Sequence, residues 1–319
     1  LAGTYTFNNT IQGSVSGSAL NAGANQASAD NNSNTRMLWT VSTGASTSGT
    51  IYHTAGIYCN SSTNVVYATD FVASSDMRLK DKVCIVTGSS SGIGKEIAKG
   101  FAKEGAQVVI TYLTNKKSAH KLAKQINAKL VLQLDIKKRS SIRRVFKKIV
   151  KEYGHIDVLV NNAGINLPAD FDKQTDAEWN EVIDVNLTGV FRCCQEVLPY
   201  IVDFGRIINI GSLSGEYGGP RTPSYTCAKM GLMGLTHNLA RFLGPRNICV
   251  NTLSPGVIES KMTKKTISPK VRKAVLSLAL FKRFGQYSEI VGGAIFLASD
   301  ESSYMTAQTL SINGGAWVL

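Results

Sequence analysis

Tyr225 and Lys229 stand four residues apart within the sequence YTCAK, and Ser212 lies thirteen residues before the tyrosine. On a helix, residues at positions i and i+4 lie on one face, about one turn apart. A tyrosine hydroxyl has a pKa of about 10, and a nearby ammonium would stabilise its phenolate and lower that pKa. A serine hydroxyl beside it can stabilise an oxygen on which negative charge develops. Although each residue alone is ordinary, together they predict that Tyr225 can donate a proton to an oxygen on which negative charge develops.

A glycine-rich turn, TGSSSGIG at residues 87–94, follows an apolar run far upstream of the tyrosine. Glycines let a backbone approach a pyrophosphate closely, and the helix that follows offers free N–H groups and the positive end of its dipole. Because the turn stands between a predicted strand and a predicted helix, it indicates a dinucleotide site. The residues expected to contact the dinucleotide here are Gly88, Ser90, Ser91, Gly92, Ile93 and Gly94.

The end of the next predicted strand should approach the adenosine ribose, where an NAD-binding site usually places an aspartate. Tyr112 takes that position, and Lys116 and Lys117 follow it and could meet a 2′-phosphate. These residues favour NADPH as the cofactor. NADH stays open as the alternative, because the two lysines could simply begin the next helix.

Two further turns at predicted strand ends are expected to complete the nucleotide site. Asp135, followed by Ile136, lies just past the third strand, where a carboxylate can accept from the adenine amino group. The NNAG turn after the fourth strand should line the adenine–ribose side. Its expected contacts are Asn162, Ala163 and Gly164.

Apolar strand-like runs alternate with amphipathic helical stretches throughout residues 77–319. The predicted strands are Val83–Thr87, Gln107–Thr111, Leu130–Leu134, Ile156–Val160, Arg206–Ile210, Ile248–Leu253 and Thr309–Ile312. The predicted helices are Gly94–Glu104, Lys116–Ile126, Ser140–Tyr153, Ala177–Tyr200, Ser224–Leu243 and Ser288–Leu297. Such repeated units predict an α/β fold, a Rossmann-type doubly wound parallel sheet with ligands at the carboxyl ends of its strands.

In this order, the motifs resemble the short-chain dehydrogenase/reductase family over the whole of residues 77–319. The matching pieces are TGSSSGIG, Asp135, NNAG, Asn186 in VNLTG, Ser212, YTCAK and the turn SPGVIES. The resemblance implies that Asn186 holds a water in a proton relay through Lys229, which also binds the nicotinamide ribose. It implies cofactor contacts from the SPGVIES turn, in which a serine stands where the family commonly has threonine. These expected contacts are Pro255, Gly256, Val257, Ile258 and Ser260.

Within this family, the likeness is to reductases of 3-oxoacyl thioesters, whose acyl group is carried by acyl carrier protein or by CoA. A cationic set after the SPGVIES turn would attract either carrier. It consists of Lys261, Lys264, Lys265, Lys270, Arg272 and Lys273. Arg246 matches a basic position used for docking the carrier protein, but Asp203 stands where those enzymes also carry a basic residue. The alternative substrate is a sugar or another small alcohol.

Composition changes abruptly near residue 76 of this 319-residue chain. Residues 1–76 contain no lysine, no proline and one arginine, whereas the whole chain has a net charge of +13. We expect 1–76 to be a small β-rich or disordered segment, with strands at Thr50–Tyr58 and Thr63–Val72, and 77–319 to be the reductase domain. Residues 1–76 resemble phage tail-fibre sequence in NNTIQGSVSGSALNAGA and in GIYCNSSTNVVYATDFVASSDMRLKD. The chain could therefore be a virion-associated structural protein, or residues 1–76 could be an unrelated leader, with Met77 a plausible native start.

Several classes of protein are disfavoured by composition. The six cysteines form no C-x-x-C pair and the histidines are scattered, so we expect reduced thiols and no metal site. No apolar run is long enough to cross a membrane. Thirteen lysines and arginines between Lys116 and Lys151 are expected to form solvated helix faces and to bind no nucleic acid. The reduced thiols predict a cytoplasmic protein, and the resemblance to the reductase family implies a dimeric or tetrameric homo-oligomer. A virion location is the alternative if residues 1–76 form a fibre stalk.

Overall fold

The structure is a computed structural model that describes residues 77–259, 272–273, 276–277 and 279–316, together with the backbone of five short strands earlier in the chain. The chain divides into two units, Leu1–Met77 and Arg78–Leu319. The first unit contains an antiparallel three-stranded sheet and an antiparallel pair. Its strands are β1 (Asn21–Ala24), β2 (Trp39–Thr43), β3 (Thr47–Ile51), β4 (Ile57–Asn60) and β5 (Val65–Ala68).

The two strands predicted in this first unit overlap the observed ones only in part. The predicted strand Thr50–Tyr58 covers the end of β3 and the start of β4, and its middle lies outside the described residues. The predicted strand Thr63–Val72 contains β5. The likeness to tail fibres and the domain boundary at residue 76 stay predictions.

The second unit is built on a seven-stranded sheet in the order β12-β11-β10-β9-β6-β7-β8, and every pairing in it is parallel. The strands are β6 (Val83–Val86), β7 (Gln107–Tyr112), β8 (Val131–Gln133), β9 (Ile156–Asn161), β10 (Ile201–Ile210), β11 (Cys249–Pro255) and β12 (Thr309–Ile312). Strands buried on both faces read as continuous apolar runs. This pattern was sufficient to predict the Rossmann-type α/β fold, which is confirmed.

Helices cover both faces of this sheet. They are α1 (Gly92–Lys103), α2 (Lys116–Ile126), α3 (Arg139–Tyr153), α4 (Asp176–Ile183), α5 (Gly189–Val197), α6 (Leu213–Tyr217), α7 (Pro223–Leu243) and α8 (Tyr287–Ala298). One core cluster contains Phe101 of α1 and Ile290 of α8, and the other contains Phe146 of α3 and Leu232 of α7. None of the helices in the described part of the chain combines the length and the apolar character needed to cross a membrane.

Two elements differ from the predicted pattern in ways that matter for the site. The predicted helix Ala177–Tyr200 is interrupted between α4 and α5 by a π-helical turn, Asp184–Thr188. Insertions of this kind are often found at functional sites. Strand β10 begins at Ile201, five residues earlier than predicted, and its register against β9 shifts before Arg206. Phe204 lies in that irregular part with a left-handed φ of +63°.

The order of the strands places the ends of several of them around one crevice. Strand β6 lies between β7 and β9, so the chain leaves β6 toward one side of the sheet and later returns on the other side. In doubly wound sheets, a ligand crevice opens where the strand order reverses, at the carboxyl ends of the strands. The turns after β6, β9, β10 and β11 should therefore line a common site.

Candidate active site

Helix α7 carries Tyr225 and Lys229 on one face. It begins with Pro223, a residue that suits the first helical turn because no backbone N–H is needed there. The Lys229 side chain is buried, and its Nζ donates to the carbonyl oxygen of Ile210 at 2.7 Å. The same Nζ lies 5.6 Å from the centre of the Tyr225 ring. Since Ile210 ends β10, this hydrogen bond fixes the position of α7 against the carboxyl end of that strand.

Ser212 follows β10 by two residues and caps the N-terminus of α6. Its Oγ accepts from the backbone N–H of Ser214 at 3.2 Å. Its side chain also forms a hydrogen bond with that of Tyr225. The structure therefore brings together the three side chains that the sequence singled out, although Ser212 and Tyr225 come from different elements.

The surroundings change the pKa of both groups on α7. Burial raises the pKa of Tyr225 above its usual value of 10.0, and the hydrogen bond with Ser212 opposes that rise. Burial lowers the pKa of Lys229 from 10.5 to about 8. The protein groups alone therefore do not lower the Tyr225 pKa as expected, because desolvation of the phenolate has a larger effect than the hydrogen bond with Ser212.

Asn186 lies in the π-helical turn and is fully buried. Its side chain binds both polar groups of Ile165: Oδ1 accepts from the N–H at 2.8 Å, and Nδ2 donates to the carbonyl oxygen at 2.7 Å. A Cβ placed on the neighbouring Gly164 would lie 2.8 Å from this Oδ1 and 3.8 Å from the Lys229 Nζ. Glycine at position 164 therefore allows Asn186 and Lys229 to approach the same stretch of backbone. The predicted water relay through Asn186 stays a prediction.

The glycine turn between β6 and α1 is shaped to accept a group close to its backbone. Gly88 and Gly92 have left-handed φ angles of +66° and +60°. A side chain at Gly94 would collide with the amide of Asn162, whose Nδ2 donates to the carbonyl oxygens of Thr87 at 2.8 Å and Gly88 at 3.3 Å. Ser91 precedes α1 and makes no side-chain cap hydrogen bond. The first turn of α1 is therefore suited to bind an anion such as a pyrophosphate.

Hydroxyl residues that the sequence reasoning missed hold this turn in place. The Thr87 hydroxyl accepts from the N–H groups of Asn162 at 2.9 Å and Ala163 at 3.0 Å. The Thr111 hydroxyl accepts from the Gly88 N–H at 2.9 Å, and the Ser89 hydroxyl accepts from the Thr111 N–H at 2.9 Å. The serine and threonine residues near the strand ends could have indicated these hydrogen bonds. Their partners are brought close only because β6 lies between β7 and β9, and no local sequence pattern predicts that order.

The residues expected on the adenosine side are in varied surroundings. Asp135 accepts from the Lys137 N–H at 3.0 Å and lies 3.7 Å from the Lys138 ammonium. Ile136 is buried, with its side chain against Gly189. Tyr112 is only 9% exposed and belongs to the core, so that Leu113 is the side chain exposed at this strand end. The contact between Tyr112 and a ribose stays a prediction.

The sequence of this chain is similar to those of known proteins. A family model described as enoyl-(acyl carrier protein) reductase matches residues 88–316. The 3-oxoacyl-(acyl-carrier-protein) reductase of Thermotoga maritima is 43% identical over 244 residues, which cover 75% of this chain and 99% of that protein. The reductases of the same name from Staphylococcus epidermidis and Escherichia coli are each 39% identical, over 75% and 76% of this chain and 100% of their own lengths.

The chain belongs to the short-chain dehydrogenase/reductase family. It is accordingly an NAD(P)-dependent oxidoreductase, as the sequence predicted. The resemblance in TGSSSGIG, NNAG and YTCAK is thus confirmed at the level of the family.

The turn after β11 provides the remaining expected cofactor contacts of this short-chain reductase. Gly256 packs so closely against Asn313 that a Cβ would lie 2.7 Å from its Cα. Ile258 forms a bridge with Gly285, and Glu259 pairs with Arg272 at 2.6 Å. The predicted contact Ser260 and the cations Lys261, Lys264, Lys265 and Lys270 lie outside the described residues.

Arg246 and Asp203 form an ion pair that the sequence reasoning did not anticipate. The Arg246 Nε donates to an Asp203 carboxylate oxygen at 2.7 Å, and the guanidinium also binds the carbonyl oxygens of Leu198 and Ile201. Both side chains are partly or largely exposed. The pair leaves little net charge at the position where the family resemblance implied a basic docking surface.

Proposed function

We propose that this enzyme reduces the keto group of a 3-oxoacyl thioester to a hydroxyl, with NADPH as its cofactor. The observation that carries the proposal is the Ser212–Tyr225 hydrogen bond beside the buried Lys229. Support comes from its relatives, since the chain spans 99–100% of proteins named 3-oxoacyl-(acyl-carrier-protein) reductase. Sugar or small-alcohol turnover is the alternative within the same family.

In the proposed reaction, Tyr225 donates its phenolic proton to the carbonyl oxygen. The Ser212 hydroxyl, which lies beside that phenol, turns its single proton to the same oxygen as negative charge develops there. The bound nicotinamide supplies the hydride that reaches the carbonyl carbon. The protein therefore contributes mainly the position of two hydroxyl groups.

Lys229 has two roles in this proposal. Its ammonium has three N–H donors, of which one goes to the Ile210 carbonyl oxygen at 2.7 Å. The other two can bind a ribose hydroxyl and return a proton to the Tyr225 phenolate. Asn186, packed beside Gly164, is expected to hold the water through which that proton arrives.

The preference for NADPH rests on the first turn of α2. Lys116 and Lys117 are exposed there, and this turn contains no acidic residue. Cations at a helix N-terminus are unfavourable because of the helix dipole, and a bound 2′-phosphate would offset that cost. The double variant Lys116→Ala/Lys117→Ala should lower kcat/KM for NADPH by about tenfold or more, with NADH unaffected. Lys121→Ala on the same helix is the control, and an unchanged NADPH preference would show that the lysines only begin the helix.

The carrier of the acyl group is proposed from charge. Asp203 offsets the charge of Arg246, which weakens the expected docking of acyl carrier protein at this position and leaves acyl carrier protein and CoA as the two proposed carriers. Asp203→Ala should therefore raise kcat/KM for acetoacetyl-acyl carrier protein while leaving that for acetoacetyl-CoA unchanged. If both values stay the same, this surface takes no part in recognising the carrier.

The decisive assay follows NADPH absorbance with acetoacetyl-CoA. Wild-type enzyme should consume NADPH with this substrate, and Tyr225→Phe should not. Turnover of a sugar or a secondary alcohol, with none of any 3-oxoacyl thioester, would refute the substrate proposal.

We further propose that the enzyme acts in the cytoplasm as a dimer or tetramer. Light scattering of the full chain tests the oligomeric state directly. A strict trimer would instead favour the fibre-like alternative, because stalks of that kind are three-fold whereas this family forms two-fold assemblies.

A further inference from the structure

The carboxylate of Glu216, on the short helix α6, is bound by hydroxyl groups from two neighbouring strands. It accepts from Ser254 on β11, and from Ser311 on β12 at 3.0 and 3.1 Å. Ser254 and Ser311 are register partners in the parallel ladder, so their side chains lie on one face of the sheet. Glu216 therefore connects α6 to two strands at the edge of the sheet.

Helix α6 depends on such contacts for its position. It has five residues, far fewer than a helix needs to be stable in water by itself. On its other side it packs closely on α7, where a Cβ on Gly215 would lie 3.0 Å from backbone atoms of Lys229 and Met230. The hydrogen bonds of Glu216 attach α6 to the sheet as well.

Ser212 caps this same helix, four residues before Glu216. Ser254 is followed directly by Pro255 and Gly256, the turn expected to contact the cofactor. A displacement of α6 would therefore move the Ser212 hydroxyl relative to Tyr225 and to that turn at the same time.

We propose that Glu216 is a positioning residue that holds Ser212 in register with Tyr225 and with the Pro255–Gly256 turn. This inference rests on the proposed function, in which Ser212 donates to the substrate oxygen. A carboxylate suits this role because hydrogen bonds to an ionised acceptor are stronger than neutral ones. A glutamine can retain much of the arrangement, since its amide accepts from one hydroxyl and donates to the other.

The test compares Glu216→Ala and Glu216→Gln in the full chain. Glu216→Ala should lower kcat by about tenfold, equivalent to about 1.4 kcal/mol, and should leave the Kd for NADPH within about threefold. Glu216→Gln should restore most of kcat. In hydrogen–deuterium exchange without substrate, Glu216→Ala should speed exchange in peptides spanning Leu213–Tyr217 and leave the peptides of α7 unchanged.

Glu104→Gln is the matched control. Glu104 also accepts two side-chain hydrogen bonds, from Arg78, but it follows α1 at the end of the sheet opposite the site. This variant should leave kcat and the exchange of α6 unchanged.

Two outcomes would overturn the proposal: an unchanged kcat in Glu216→Ala, or equal losses in both Glu216 variants with exchange raised throughout the protein. The exchange measurement needs no substrate, so it still decides the role of Glu216 if the enzyme turns over no 3-oxoacyl thioester.

Discussion

Replacing Lys229 by methionine should change how the stability of this protein depends on pH. The side chain is 4% exposed, and burial lowers its pKa from 10.5 to about 8. Each pKa unit corresponds to about 1.4 kcal/mol, so the difference is worth about 3.5 kcal/mol of folding free energy. Between these two pKa values the unfolded chain binds more protons than the folded one. The stability due to Lys229 therefore rises with pH across that window, and the full cost of burying the ammonium is present below about pH 8.

Methionine has a similar length and cannot be protonated, so the variant lacks this pH-dependent cost. It also leaves the Ile210 carbonyl oxygen without its partner, a loss that does not vary with pH. We therefore expect the free energy of unfolding of the variant, minus that of the wild type, to fall by about 3.5 kcal/mol from below pH 8 to above pH 10.5. The absolute value at either end depends on the lost hydrogen bond, so the change with pH is the quantity to measure.

The assay is urea unfolding followed by circular dichroism at a series of pH values. Subtracting the variant from the wild type removes the contribution of titrating groups that do not interact with Lys229, and Tyr225→Phe in both backgrounds removes that of Tyr225. Lys121→Met, an exposed lysine on α2, controls for the general loss of a positive charge. A difference between wild type and Lys229→Met that stays constant with pH would refute the assignment of a desolvated ammonium at this position.

Three further substitutions give distinct expected results. Tyr225→Phe should lower kcat by about a hundredfold or more, as expected for loss of a general acid, while fluorescence titration shows nearly unchanged NADPH binding. Gly94→Ala should weaken NADPH binding in the same titration, because the added methyl group displaces the Asn162 amide that fixes the glycine turn. Thr236→Val should lower the free energy of unfolding in urea by about 1–3 kcal/mol, because it leaves the buried Asn209 amide without its acceptor. Substantial turnover by the first variant, unchanged cofactor affinity in the second or wild-type stability in the third would each contradict the corresponding contact.

Much of the fold and the central pair of the site could be predicted from local spacing. The pairing of Tyr225 with Lys229 needs only a helix, and that helix was predicted to within one residue, at Ser224–Leu243 against Pro223–Leu243. The parallel sheet followed from alternating apolar runs and helical stretches. These features are local, since a helical face and a buried strand are each determined by residues close together in the sequence.

Features that depend on distant neighbours were missed. The composition of the π-helical turn around Asn186 does not differ from that of an ordinary helix. In the structure, the Asn186 side chain of this turn accepts a hydrogen bond from the distant Ile165 N–H. The packing of the Tyr112 ring into the core was also not foreseen, while the contact of this residue with a ribose stays a prediction. The partners of Glu216 lie 38 and 95 residues away, and only the pairing of β11 with β12 brings them together.

A buried polar chain explains why the reactive face of α7 points at the crevice. Asn161 of β9 donates to Asn209 of β10 at 2.9 Å, Asn209 donates to Thr236 of α7 at 2.9 Å, and Thr236 meets Thr252 of β11 at 2.8 Å. All four are nearly or fully buried. An apolar core would tolerate small rotations of the helix, whereas a hydrogen bond to one atom does not.

Thr236 is the member of that chain that acts on the helix itself. It follows Tyr225 by eleven residues, which is close to three full turns, so the two side chains lie along one stripe of α7. Lys229 lies on the same stripe and is bound to the end of β10. The helix is thus held at two levels, by Lys229 near the site and by Thr236 two turns deeper in the core. Rotation of the face that presents the Tyr225 hydroxyl would break both contacts, so the buried hydroxyl of Thr236 helps to orient a group at the surface of the crevice.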